Sequence, residues 1–300
     1  MRTISKFKKN KKDYFFLATA LIIPITQLLI CYVWVNFNSI SLAFKDTIDG
    51  IHFNFVWFKN FGKVIDDILH SVDMANMIRN TFKMYFFSQI VTTLICLVLA
   101  YMIWKKCFAY RFFAVLLFLP QVISSVIFVM LTKYLIAYAL PVILNDITIV
   151  ECLNPYTSGF DVVLGVGCFL SIGGTLVLIL GGMSNVDQSV IEYAKIDGCN
   201  SVQEFIHVVF PAVYPTLISL FVIGVAGIFS NSGMLFPFYG LTTESSIKTI
   251  GLHIYLTVYV NNDYIQYPYL SALGLLASVI TIFVSFGGRK ILEKFGPSED

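Results

Sequence analysis

The apolar residues of this chain fall in long unbroken blocks, and the polar residues gather between them. Six blocks reach the roughly 20 residues a helix needs to cross a hydrocarbon core: 14–35, 82–104, 112–132, 162–183, 212–234 and 267–287. The pattern predicts one helix over each. No block alternates with a period of two, so a β-barrel is not indicated. The first block is too long for the apolar stretch of a signal peptide. It also contains Pro24, Thr26 and Gln27 and lacks a small-residue cleavage site after it, so it reads as a retained helix. The stretch 234–268 is mixed and is expected to lie outside the hydrocarbon core. Within it Ile247, Ile250, Ile254 and Val258 recur at helical spacing, which predicts an amphipathic helix near the outer surface that either receives a partner or seals the mouth.

Between the fourth and fifth blocks lies a polar stretch, 184–211, with strong local signals. Asp187 can cap a helix whose first turn is 188–191. That helix runs through Glu192, Ala194 and Ile196 to Gly198, and glycine is the usual residue just past a helix end. Ser201-Val202-Gln203-Glu204 then reads as a capping box opening a second helix. Pro211 lacks the N–H that a helix interior uses, so a change of geometry is expected there, just before the fifth block. The prediction is helix, sharp turn, helix, then membrane.

Composition supports the membrane reading. Of 300 residues, 57% are hydrophobic and 13% charged, with a mean hydropathy of +0.79, whereas soluble domains carry about 25% charged residues. The fold class is an all-α integral membrane protein with six transmembrane helices, and the lipid bilayer is its first partner. A formal net charge of +2 gives no reason to expect nucleic acid. The placement of charge says more. With the N-terminus in the cytosol, the inner segments hold 13 Lys and Arg, among them Arg2, Lys6, Lys8, Lys9, Lys105, Lys106, Lys195 and Arg289. The outer segments then hold 7, among them Lys59, Lys63 and Lys133. This asymmetry puts both termini in the cytosol and the chain in the cell membrane. The organisation expected is a basic arm 1–13, a first helix 14–35, an extracytoplasmic loop 36–79, a membrane core 80–288 interrupted by the cytosolic loop 184–211, and a tail 289–300.

Several chemistries are excluded. Apart from Lys83, near the outer end of the second block and able to snorkel to the interface, no block holds Asp, Glu, Lys, Arg or His. Ion-coupled transporters carry such groups at membrane depth, so an ion gradient is not the energy source. The chain has no phosphate loop. Its four histidines are scattered without zinc spacing, and no nucleophile–base pair is legible. No catalytic, cofactor or metal site is expected, and the chain is not read as an enzyme. Six cysteines show no metal spacing. Only Cys152 falls clearly in an outer loop, and the others read as packing residues.

The polar stretch carries a resemblance. Glu192, Ala194, Gly198, nine residues, then Val208-Val209-Phe210-Pro211 is similar to the EAA loop of the membrane subunits of binding-protein-dependent ABC importers. Tyr193 and Cys199 stand where that family usually has alanine. The start of the chain, with Ser39-Ile40-Ser41-Leu42-Ala43-Phe44, the segment 55–64, Asn80-Thr81 and the opening of the sixth block at 269–276, resembles the sugar-type permeases of the maltose and glycerol-phosphate group. The resemblance implies a type I importer permease with both termini cytoplasmic. Its partners would be a second homologous permease in a heterodimer, two cytosolic ATPase subunits that bind the ATP and Mg, and an extracytoplasmic solute-binding protein. It implies that Ile191, Glu192, Ala194, Gly198, Phe210 and Pro211 couple to the ATPase, with Ile191 and Ala194 as a small apolar docking face. It also implies a sugar or oligosaccharide as solute. Two other readings stand beside it: a permease for a non-sugar solute, and a membrane scaffold that moves nothing and recruits a cytosolic partner.

Polar and small residues inside the blocks are candidates for the solute pathway, because a hydrated solute needs hydrogen-bond partners. Gly167, Ser171, Gly174 and Thr175 share one face of the fourth helix. Gly224, Gly227, Ile228 and Asn231 share one of the fifth. The third holds Pro120, Gln121, Ser124 and Ser125. The candidates are Gln121, Ser124, Ser171, Thr175, Ile228 and Asn231. Small residues at these positions equally suit close helix packing.

Overall fold

The computed structural model describes residues 11–296. The basic arm up to residue 10 and the tail from residue 297 lie outside the described residues. The chain is helical almost throughout. Helix α1 covers 11–43, α-helical over Lys11–Gln27 and Val35–Ala43 with π-helical turns over Leu28–Trp34. A two-stranded antiparallel ribbon follows, β1 Lys45–Asp46 and β2 Asn54–Phe55. Then come α2 Lys59–His70, α3 Val72–Trp104, α4 Tyr110–Val122, α5 Ser125–Leu144 and α6 Gly159–Met183. They are followed by α7 Gln188–Ile196, α8 Ser201–Ala226, a short helix Leu235–Tyr239, α9 Ile250–Val260 and α10 Tyr267–Phe295. Among the described residues six helices are long and apolar enough to cross a membrane: Thr19–Ala43 within α1, then α3, α5, α6, α8 and α10.

Three sequence expectations are corrected. The block 112–132 is not one helix. It breaks at Ile123 and Ser124, whose backbones are extended. Pro120 offers no N–H to the preceding turn, which weakens the helix just before the break. Helix α5 instead extends beyond 132 and takes in Lys133, which donates to the Phe238 carbonyl at 2.8 Å. The fifth helix ends at Ala226, and Gly227, Ile228 and Asn231 form a turn beyond its end rather than a helical face. Pro211 does not interrupt it. Helix α8 runs unbroken from Ser201, and the wider π-helical turns at Phe205–Val209 lie immediately before the proline.

The chain divides into two units. Among the described residues the first comprises 11–64 with 263–275. Here the end of α1 meets the ribbon and the start of α2, so the sequence patches 39–44 and 55–64 come together. Phe44 packs against Phe58 and Phe61 at ring distances of 5.5 and 5.2 Å. Asn60 is buried and its amide donates to the carbonyls of Ala43 and Lys45. Lys59 and Lys63 lie 3.1 and 3.5 Å from the Asp46 carboxylate.

The second unit, 65–262 with 276–296 among the described residues, holds two apolar cores. Toward the 184–211 loop, Cys96 and Ala100 of α3, Leu176 and Ile179 of α6 and Val209 and Val213 of α8 pack together. In the other core, Met84 of α3, Val129 of α5 and Phe160 of α6 pack on Phe238, Leu252 and Leu256. Helix α9 therefore buries its apolar face, including Ile250 and Leu252, rather than lying free. Lys83 does not merely snorkel. It pairs with Asp161 in the first turn of α6, where the helix dipole favours an acid. Cys96 is a core residue, as expected of a packing cysteine, but Cys31, Cys107 and Cys199 are exposed.

Candidate functional site

The loop between α6 and α8 folds as its sequence signals dictate, with one shift. The Asp187 side chain caps α7 by accepting from the Ser189 N–H at 3.0 Å. At the other end Gly198 adopts φ +77°, the left-handed region glycine tolerates. Its N–H bonds the Lys195 carbonyl and the Cys199 N–H bonds the Ala194 carbonyl, at 3.1 and 3.0 Å. That pair of bonds is the Schellman closure, and it satisfies carbonyls a helix end otherwise leaves open. The capping box of α8 is formed one residue earlier than the sequence suggests. Asn200 accepts from the Val202 and Gln203 N–H groups, and the Gln203 side chain accepts from the Asn200 N–H.

Glu204 is thereby released for another role. Its carboxylate is almost fully buried and lies 3.0 Å from the Lys105 ammonium. Lys105 also donates to the Ser201 hydroxyl and to the Tyr101 hydroxyl, and Tyr101 donates to the Ser201 carbonyl at 2.9 Å. The Tyr101 and Phe205 rings meet edge-on at 5.0 Å. Burial works against the Lys105 charge, but the hydrogen bonds it donates to Tyr101 and Glu204 outweigh it and raise its pKa above the ordinary lysine value. This cluster fastens the start of α8 to the end of α3. Sequence reasoning missed it because its members are about a hundred residues apart.

The surface of α7 also differs from expectation. Ile191 and Ala194 are buried, at 6% and 8% exposure, so they face the protein and are not an outward docking face. The exposed apolar residues are Val190, Tyr193 and Ile196, spaced i, i+3, i+6. Glu192 is exposed and makes no ion pair with Lys195. Phe210 packs on Tyr214 at a ring distance of 5.9 Å. Pro211 lines a cleft of about 700 Å³ together with Tyr214, Ser219, Arg289, Glu293 and Lys294.

Two adjoining cavities gather some of the pathway candidates. One, of about 180 Å³, is lined by Thr81, Tyr85, Ser88, Gln89, Ile228 and Asn231. The second, of about 70 Å³, shares Ser88 and Asn231 and adds Gly167 and Ser171. The structure thus brings Ser171, Ile228 and Asn231 together. Gln121 and Thr175 line neither cavity, nor does Ser124 at the α4–α5 break. Gln121 lies against α6, where a methyl on Gly173 would come within 2.6 Å of its amide oxygen. The contribution of α3 (Thr81, Tyr85, Ser88 and Gln89) was not anticipated. The polar pair Ser88-Gln89 inside an otherwise apolar block was the signal available.

Six membrane-length helices, with a doubly capped hairpin fastened to the second of them, define a multi-pass membrane protein. Comparison with known sequences gives the family: residues 93–295 match the profile of the binding-protein-dependent transport system inner membrane component, and the chain belongs to that family. It is 30% identical over 266 residues to the probable starch degradation products transport system permease protein AmyD of Thermoanaerobacterium thermosulfurigenes, covering 85% of this chain and 86% of that protein. It is 26% identical over 188 residues to the multiple sugar-binding transport system permease protein MsmF of Streptococcus mutans, covering 61% of this chain and 64% of MsmF. Its fold matches a chain of a bacterial alginate ABC transporter solved with an alginate pentasaccharide-bound periplasmic protein. That match has a TM-score of 0.77 and 19% identity, covering 96% of this chain and 98% of that one.

Proposed function

We propose that this chain is one of two permease subunits of an ATP-driven importer for a sugar or oligosaccharide. An extracytoplasmic binding protein delivers the solute, and a pair of cytosolic ATPase subunits drives its passage. Both termini and the 184–211 hairpin then lie in the cytosol, in line with the Lys and Arg distribution. ATP and Mg are bound by the ATPase, not by this chain, and the second permease is a different, homologous subunit.

The observation that carries the reading is the hairpin. It is capped at both ends of α7, held between two membrane-length helices, and exposes Glu192 with Val190, Tyr193 and Ile196. Such a surface suits a groove on a partner, with Ile191 and Ala194 anchoring α7 from behind and Gly198 making the turn. ATPase closure pushes α7, and α8 moves with it. Ser171, Ile228 and Asn231 belong to the solute's path. The solute class is supported by the chemistry of the two cavities. They present hydroxyl and amide groups beside Met84 and Phe160, and no charged side chain lines either. That lining suits a neutral, hydroxyl-rich solute.

The test is reconstitution with the partner subunits in liposomes, comparing wild type with Glu192→Ala and Gly198→Asp. Aspartate at φ +77° carries a backbone cost of about 1–2 kcal/mol and adds a charge to the docking edge. Both variants are expected to assemble and to lose binding-protein-stimulated ATP hydrolysis and oligosaccharide uptake. Unchanged uptake in both means that the hairpin is not the handle.

A further inference from the structure

Resting on the reading of the solute as a sugar, we propose that Tyr85, with Ser88 beside it, forms a hydroxyl-recognising subsite on α3 that holds one sugar ring during passage. The Tyr85 hydroxyl is buried and has no hydrogen-bond partner among the described residues. Buried polar groups are nearly always paired, and one left unmade in a native fold calls for a reason. Its position supplies one: Tyr85 lines the cavity of about 180 Å³ that also holds Asn231, and its hydroxyl, closed to water in this conformation, becomes reachable when the cavity widens to pass a solute.

The neighbouring polar groups are committed to the fold. The Thr81 hydroxyl donates to the Met77 carbonyl and accepts from the Ile250 N–H, at 2.7 and 3.0 Å. The Gln89 amide N–H donates to the Leu220 carbonyl at 2.9 Å. The Asn231 side-chain oxygen accepts from the Gly233 N–H at 2.7 Å. Each of those bonds fixes a side chain in place. What remains for a visitor is the Tyr85 hydroxyl, which can donate and accept, together with the Gln89 carbonyl oxygen and the Asn231 N–H groups. A sugar hydroxyl, itself donor and acceptor, matches this set. The Tyr85 ring and the Met84 side chain offer an apolar surface to the C–H face of the sugar. Gly224 and Gly227 complete the wall without side chains.

Tyr85→Phe removes only the oxygen. A fold that gains nothing from that oxygen loses nothing with it, so the thermal midpoint of the purified subunit complex is expected to hold or rise. Binding-protein-stimulated ATP hydrolysis is read in the same liposomes, so that transport is scored per ATP hydrolysed. Sugar carried per ATP hydrolysed is expected to fall roughly two- to tenfold, the worth of one ordinary hydrogen bond. Across a series of monodeoxy analogues, wild type should lose a similar factor on the analogue lacking the matched hydroxyl, and Tyr85→Phe should not distinguish it from the parent. Ser88→Ala, scored the same way, is expected to give a smaller loss. Wild-type stoichiometry in Tyr85→Phe overturns the proposal. So does a joint fall in stability and stimulated hydrolysis, which marks the hydroxyl as structural. A wild-type transporter that hydrolyses ATP in response to its binding protein but carries none of the sugars sinks the sugar reading, and the subsite with it.

Discussion

Replacing Lys105 with methionine tests how firmly the start of α8 is fastened to the end of α3. The substitution keeps the length of the side chain and removes its charge. It leaves the Glu204 carboxylate, only 4% exposed, with no side-chain donor in reach but the Tyr101 hydroxyl at 3.2 Å, whose one proton the Ser201 carbonyl also claims. Breaking a buried pair by deleting one partner costs about 3–5 kcal/mol. The Lys105 side chain is 30% exposed, so water can reach its place, and about 2–3 kcal/mol is a fair expectation after that discount. Glu204→Met removes the carboxylate at similar volume and lets the lysine turn toward water, so it should cost about 1 kcal/mol. In the double variant Lys105→Met with Glu204→Met neither charge is stranded, and its stability should return to within about 1 kcal/mol of wild type. The assay is thermal unfolding of the detergent-purified protein, with a double-mutant cycle to extract the coupling. A coupling of about 1.5–3 kcal/mol is expected. The same variants in liposomes separate fastening from folding. The double variant should be stable yet hydrolyse ATP with poor transport, because the hairpin moves without pulling α3. Additive single effects, or a stable double variant with full transport, would refute the argument.

Two more perturbations follow from the same unit. His253 in α9 is pushed below the ordinary histidine value by burial and by the Lys248 charge. The unfolded chain therefore binds the proton first, and stability is expected to fall as pH drops below 6.5 and on toward the lowered folded value. His253→Gln should flatten that part of a melting-temperature profile against pH. Gly251→Ala places a methyl 2.8 Å from the backbone oxygen of Asn231, which cannot swing aside like a side chain. It should lower stability by about 1–3 kcal/mol and reduce uptake more than it reduces stimulated hydrolysis, read in the same liposomes.

What was legible in the sequence is what local chemistry decides. Asp187, Gly198 and the apolar blocks act within a turn or two of themselves, so α7, its closure and most of the membrane-length helices could be read directly. Where two local signals competed, the sequence did not choose between them. Asn200-x-x-Gln203 and Ser201-x-x-Glu204 both spell a capping box, and the first prevails because Lys105 claims Glu204 from across the fold. The same limit applies to the α7 face. Periodicity marks Ile191 and Ala194 as apolar but cannot say which side of a short helix the protein covers. The break at Ile123 and Ser124 left a visible trace in Pro120, Gln121 and the Ser124-Ser125 pair, yet the apolar block around it read as continuous. Tyr85 left almost none, because a tyrosine near a membrane surface is ordinary until a cavity is known to stand beside it.

The π-helical turns at Phe205–Val209 have a bearing on how this segment can vary in length. Each residue of a regular helix advances the face by about 100°, and a π turn holds one residue more than a regular one. Losing a single residue from 205–209 would let the segment relax to ordinary winding while keeping the faces downstream in register. Gaining or losing one anywhere between Phe210 and Ala226 would instead swing everything beyond it by about a quarter turn and carry Ile228 and Asn231 away from α3. Length variation among homologous chains should therefore collect at Phe205–Val209 and spare the seventeen residues of Phe210–Ala226.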